Sequence, residues 1–172
     1  MKKKLFTIVE LLIVIGVIGL LAGLSFPVLS KAMAQSRKTS CANNLRQIGI
    51  SINGYVNDYR GFLPSAIRVG EGPSDPLSIP NIVKIDKKEI FQCPADTKKA
   101  YEDQTYYSRY GTSYEWNVWY NNRPIEIVKF SILGNTLKTP LMLDAENFHG
   151  SLGKNYLYHD GRVSRSLEDT VE

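Results

Sequence analysis

Three groups of residues have types and spacing that could do chemistry. The first is a single carboxylate, Glu10, inside the apolar run FTIVELLIVIGVIGLLAGLSFPVLSK, Phe6 to Lys31. An ionised carboxylate in hydrocarbon costs about 2.5–3.5 kcal/mol on insertion scales. Glu10 therefore either sits near an interface, where it can reach water, or meets a positive charge. A free α-amine at Phe6, made by removal of Met1 to Leu5, would lie one helical turn away. The second group is Cys41 and Cys93, the only two cysteines. In an oxidising compartment they predict one disulfide, and otherwise two buried thiols. The third is the set Asp144, Glu146, His149, His159 and Asp160 near the end of the chain. Carboxylate oxygens suit Ca²⁺, and carboxylates with imidazole suit Zn²⁺, which makes Asp144, Glu146, His149 and Asp160 a candidate metal set and a metal-dependent enzyme one reading of this end. Polar roles at turns and strand ends account for the same residues without a metal.

Other catalytic signatures are missing. The sequence has no His-Glu-x-x-His, no Cys-x-x-Cys, no Gly-x-Ser-x-Gly and no Walker-type glycine loop. The expectation is a protein that is not an enzyme. The formal net charge is +4, but Lys2, Lys3 and Lys4 supply most of it and the remainder is nearly neutral. No second cluster of lysine and arginine is dense enough to track phosphates, which argues against nucleic acid as a partner.

The element that must position Glu10 is a helix. Residues 6–29 carry no formal charge except Glu10, and at about 1.5 Å per residue a helix of that length spans the roughly 30 Å hydrocarbon core. A secretory signal peptide would have a shorter apolar region followed by a small-residue cleavage site; here Phe26-Pro27-Val28-Leu29 follows and the helical pattern continues. The span is expected to be retained in contact with membrane lipid. Lys2 to Lys4 precede it, so the positive-inside rule places the N-terminus in the cytoplasm and the rest of the chain outside. Gly19 and Gly23 form a small-xxx-small pair that permits close helix approach.

The lysine-rich tip followed by Phe6-Thr7-Ile8-Val9-Glu10-Leu11-Leu12-Ile13-Val14-Ile15 resembles the cleavage and methylation motif of type IV prepilins and type II secretion pseudopilins. The resemblance implies a leader, residues 1–5, cut after Leu5 by a prepilin peptidase, with methylation of the new amine at Phe6. Leu5 stands where that family most often has glycine. It also implies that Glu10 neutralises a neighbouring subunit's N-terminus when pilin-like subunits pack into a filament. Pro27 lies where these helices commonly kink, and a proline there leaves the Gly23 carbonyl without its helical partner.

Beyond the span, Cys41, Leu45, Ile48, Ile52, Tyr55 and Tyr59 recur at helical spacing, while Arg37, Lys38, Asn43, Asn44, Arg46, Asn53 and Asn57 fall elsewhere. This predicts an amphipathic extension, residues 30–61, of the same helix, ended by Gly61 and Pro64. The polar stretch Lys31 to Ser40 could interrupt it. From residue 62 to 172 the character changes to that of an extracytoplasmic head. RVGEGPSDPLSIPN, residues 68–81, reads as an exposed loop. Strand-like runs follow at Ser113 to Tyr120, Ile125 to Ile132, Thr139 to Phe148, Asn155 to Tyr158 and Arg162 to Arg165. His159-Asp160-Gly161 between the last two predicts a hairpin. The fold class expected is α+β, a long N-terminal transmembrane and amphipathic helix packed on a small antiparallel sheet.

The chain has ten tyrosines and two tryptophans, Trp116 and Trp119, with Tyr101, Tyr106, Tyr107, Tyr110, Tyr114 and Tyr120 crowded into one segment of the head. They predict either core filling or a stacking surface for a sugar or protein. The patches SCANNLRQIGISINGYVNDYRGFLP, FQCPAD and HGSLGKNYLYHDGRV resemble bacterial proteins described as prepilin-type and processing-associated, which end in His, nine residues and Asp-Gly. Here ten residues separate His149 from Asp160, which calls for a bulge in the hairpin or a displaced histidine. The reading that results is a structural pilin-like subunit of a type II secretion or type IV pilus-like system. It would sit in the inner membrane as a single-pass protein and enter a periplasmic or surface filament. The alternative is an anchored extracytoplasmic module that binds polysaccharide or protein.

Overall fold

The computed structural model describes residues 7–85, 87–97, 104–127, 130–132, 135–137 and 139–167. Leu5 and Phe6, where processing is expected, and Tyr101 lie outside them. The fold is α+β, as the sequence predicts. Its first element, α1, runs Ile8–Asp58 with Pro27 inside it and no break through the polar stretch Lys31 to Ser40. The chain divides into two compact units, Met1–Ser36 and Arg37–Glu172.

In the first unit every described residue up to Ala34 is exposed, the apolar ones included. Ser25 and Ser30 return their hydroxyls to the Leu21 and Phe26 carbonyls, at 2.8 and 3.1 Å, so their polar groups are used within the helix. This part of α1 is long and apolar enough to cross a membrane.

In the second unit α1 buries one face, made by Lys38, Cys41, Ala42, Leu45, Ile48, Gly49, Ile52 and Val56. The spacing reading located most of this stripe and erred at both ends. Lys38, assigned to the polar side, is buried, and beyond Ile52 the stripe continues through Val56. Tyr55 and Tyr59 instead stack on each other with ring centroids 3.9 Å apart, Tyr59 remaining exposed. The helix ends where Arg60 and Gly61 take positive φ of 57° and 86° and the Gly61 N–H donates to the Val56 carbonyl at 2.8 Å, the long bond of a Schellman end.

Two short helices, α2 (Ile79–Ile82) and α3 (Tyr106–Tyr110), precede the sheet. Strands β1 (Tyr114–Trp116), β4 (Met142–Asp144), β5 (Tyr156–Leu157) and β6 (Val163–Ser164) form an antiparallel sheet in the order β1-β4-β5-β6. Strands β2 (Phe130–Ile132) and β3 (Asn135–Leu137) pair separately. The expected hairpin is β5–β6, turned by His159-Asp160-Gly161 with Gly161 at φ 79°.

All five expected strands are shorter than predicted, and two of them give way in part to 3-10 turns. Val118–Tyr120 and Ile125–Ile127 are 3-10 turns. Asn117 explains the first, because its side chain accepts from the Trp119 N–H and draws the backbone into a turn. The expected loop at residues 68–81 is less exposed than its composition suggests. Asp75 accepts the Glu71 and Leu77 N–H groups, Ser78 and Ile79 are buried, and α2 starts at its end.

The core joins α1 to the sheet. Leu45, Ile48 and Ile52 pack with Phe91, Tyr114, Trp116, Met142 and Leu157. Contact is closest at Gly49, where an added methyl would lie 3.0 Å from Leu157 Cδ1. Asn121 pins the layer before the sheet: Oδ1 accepts from the Ala66 N–H at 3.1 Å and Trp116 Nε1 at 2.8 Å, and Nδ2 donates to the Ala66 carbonyl at 2.8 Å. The disulfide Cys41–Cys93 joins α1 to the segment before α3, with both residues fully buried.

Removing the bridge frees a loop with a sequence separation of 52. A Cys41→Ala/Cys93→Ala chain should be less stable by about 2–5 kcal/mol. Urea unfolding followed by the fluorescence of buried Trp116 measures the difference. Gly49→Ala should move the same transition by no more than about 1 kcal/mol, because the crowding of Leu157 Cδ1, 3.0 Å from the added methyl, offsets the gain of about 1 kcal/mol that alanine has over glycine inside a helix.

Candidate functional site

Glu10 has a partner within its own helix. Its Oε2 accepts from the Thr7 N–H and from Thr7 Oγ1, both at 2.8 Å, while the Glu10 N–H donates to Thr7 Oγ1 at 3.2 Å. This is a capping box, Thr-x-x-Glu, in which N-cap and third helical residue satisfy each other's free N–H groups. The signal is legible in Thr7-Ile8-Val9-Glu10, but a reading that counts Thr7 with the apolar span misses it. The amine of residue 6 lies outside the described residues.

The second constellation surrounds the disulfide. Asp144 ends β4 and is fully buried. Its Oδ2 accepts from the Asn155 N–H at 2.7 Å and from Asn155 Nδ2 at 3.0 Å, and lies 3.3 Å from His149 Nε2. Asn155 is held by its place before β5, its carbonyl taking the Asp144 N–H at 3.1 Å. Its Nδ2 also approaches the Lys38 carbonyl of α1 at 3.4 Å. His149 N-caps the 3-10 turn Gly150–Leu152 and brings Nε2 to 3.6 Å from Cys93 Sγ. Lys38 Nζ donates to the Leu152 carbonyl at the other end of that turn. Burial pushes the Lys38 ammonium below the usual lysine value, Arg165 adds to this, and Asp144 opposes it. Burial, and next the Asp144 charge, push the fully buried Tyr114 phenol far up, so it stays neutral.

The expected metal set is not assembled. Asp144 and His149 meet, but Glu146 is exposed, and Asp160 is exposed with its carboxylate engaged by Arg162: Oδ1 takes the Arg162 N–H at 3.0 Å and Oδ2 lies 3.5 Å from Nε. The reason is topological. Asp160 belongs to the tip of the β5–β6 turn, while Asp144 and Asn155 belong to the opposite end of β5.

Cysteine, histidine and aspartate together suggest a nucleophilic triad, but the geometry is wrong for one. Sulfur and carboxylate both address Nε2, and Nδ1 has no partner. A relay needs one ring nitrogen for each. The sulfur is also bonded to Cys41.

Asp96, at the end of FQCPAD, is buried and organises the loop after the bridge. Its carboxylate accepts from the N–H groups of Tyr106 and Tyr107 at 3.1 and 2.8 Å and from Ser113 Oγ at 2.8 Å, and Ser113 Oγ in turn accepts the Cys93 N–H at 3.1 Å. Among the aromatic residues, Tyr106, Tyr114, Trp116 and Tyr120 are buried, and Trp119 is exposed.

These features define an α+β chain with a membrane-length apolar helix and a disulfide-tied head built on that helix's second half. Over residues 30–85 the chain matches the family model SBP_bac_10, described as a protein of unknown function (DUF1559). No curated protein and no solved structure matches it. The matched stretch carries the buried face of α1, Cys41, the Schellman end and α2.

Asp144→Ala removes the acceptor of two Asn155 donors and the carboxylate beside His149. It should destabilise the head by about 3–5 kcal/mol in urea unfolding. Asn155→Ala added to it should cost less than its own single effect, since the two share their hydrogen bonds.

Proposed function

We propose that this chain is a pilin-like subunit, held in the inner membrane by α1 and drawn into a filament of a type II secretion or type IV pilus-like system after a prepilin peptidase cuts before Phe6. The observation that carries this reading is the exposure of every described residue from Thr7 to Ala34, most of them apolar. Such a surface is stable only in lipid or against other apolar helices. Lipid serves for storage and neighbouring helices serve in a filament, so one surface supports both states. The match over residues 30–85 is compatible with this role. The role is structural and not enzymatic: the helix supplies the filament core and the head its outer surface. The alternative, an anchored module binding through stacked aromatic rings, loses Tyr106, Tyr114, Trp116 and Tyr120 to burial but keeps half-buried Tyr107 and Tyr110 and exposed Trp119.

Intact-mass and terminal-peptide spectrometry of the protein from its native membrane should find a methylated Phe6 at the N-terminus. A chain beginning at Met1 would overturn the assembly reading and favour the anchored module. The capping box allows a second test, because glutamine serves at the third helical position as well as glutamate. In the assembly reading Glu10→Gln keeps the cap but loses the charge, and should be inserted yet excluded from filaments, while Thr7→Ala should still assemble. Equal loss from both variants would reduce Glu10 to a helix cap; sheared filaments probed with antibody to the head give the readout.

A further inference from the structure

We infer that Cys41, Cys93 and His149 form a binding site for a thiophilic metal ion, Zn²⁺ in the first instance, in the chain whose disulfide has not yet closed. Among the described residues these three bring one ligand atom each within 4.8 Å of one another, and all three are buried. Tetrahedral zinc with Zn–S near 2.3 Å and Zn–N near 2.05 Å sets adjacent sulfur and nitrogen ligands about 3.6 Å apart. Cys93 Sγ and His149 Nε2 are 3.6 Å apart already. The two sulfurs would part to about 3.8 Å by rotation of their side chains. Their Cα atoms, 5.0 Å apart, belong to α1 and to the segment that Asp96 and Ser113 hold in place.

The surroundings fit a cation. Asp144 Oδ2 lies 3.3 Å from His149 Nε2 and keeps its two Asn155 hydrogen bonds if that nitrogen turns to a metal. Asp144 Oδ1 and Asn155 Oδ1, both buried, have no hydrogen-bond partner in the closed form, which leaves acceptors for a metal-bound water. Both thiols must lose their protons to bind, so uptake releases two protons.

Closure of the bridge then expels the ion. One zinc-bound thiolate attacks the disulfide of a thiol oxidant and forms a mixed disulfide. The second thiolate displaces it, giving Cys41–Cys93, two thiolates on the reduced oxidant, and free Zn²⁺. The metal would hold α1 and the Cys93 segment in native register before the covalent link forms. The inference is independent of filament assembly.

The test uses the full chain in detergent micelles, reduced with a phosphine, refolded without oxygen, and titrated with Co²⁺ and then Zn²⁺. The expected result is one equivalent of Co²⁺ with thiolate-to-cobalt charge-transfer absorption, displaced by Zn²⁺, and no such band in the oxidised chain. Cys41→Ser and Cys93→Ser should lose stoichiometric binding. His149→Gln should weaken it by more than the roughly tenfold that an outer-shell change costs. His149→Cys should restore affinity and strengthen the charge-transfer band. A folded reduced chain that takes up no Co²⁺ overturns the site, and so does undiminished affinity in folded His149→Gln. If the reduced chain is unfolded without metal, Zn²⁺ must restore its circular dichroism and Trp116 fluorescence; failure to do so also overturns it.

Discussion

The head depends on one face of α1. Leu45, Ile48 and Ile52 are fully buried in the core shared with the sheet, and Gly49 sits close enough to Leu157 that an added methyl would crowd its side chain. Strands of two or three residues cannot make a stable sheet by themselves. Here they are held by the second half of α1, which is a core element of the head.

The disulfide and the polar cluster beside it continue that contact. Cys41 is on the same stripe as Leu45, and Lys38 stands at its start. A lysine at this position has to bury its stem and find acceptors for its ammonium, which it does at the Leu152 carbonyl near the Asp144 charge. His149 and Asn155 fill the space between carboxylate and disulfide. Polar groups so enclosed are tolerable only when held in one arrangement. The bridge on one side and the β4–β5 ladder on the other provide that constraint.

Features governed by spacing were legible in the sequence. The apolar span, the stripe from Cys41 to Ile52 and the Asp-Gly turn each depend on local periodicity or on a glycine with positive φ, and the cysteine pair follows from number and compartment. Features governed by tertiary contacts were hidden. Lys38 reads as polar surface because charge normally implies exposure, and nothing local announces the Leu152 carbonyl that receives it. Asp144 and Asp160 look alike in sequence, yet one is enclosed at a strand end and the other is exposed at a turn tip. Val118–Tyr120 has strand-forming residues, but Asn117 turns the backbone before pairing can start. Asp96 is an ordinary turn residue until α3 presents its free N–H groups to it.

The structure gives Glu10 a role at the start of α1, and the assembly proposed above would give it a second. In a lone subunit the free N–H groups of the first helical turn must be satisfied near the membrane surface, and a carboxylate bonded to Thr7 does that within the chain. In a packed assembly the same carboxylate could neutralise an amine contributed by a neighbour, at the cost of some or all of its bonds to Thr7. Under that proposal the cap would compete with the intermolecular pair, which would form only where a charge–charge contact exceeds two local hydrogen bonds. In the proposed scheme a carboxylate bonded to Thr7 would avoid the penalty of a bare charge in hydrocarbon and keep its charge for assembly. Thr7 is thus as much a part of the Glu10 site as any partner outside the chain.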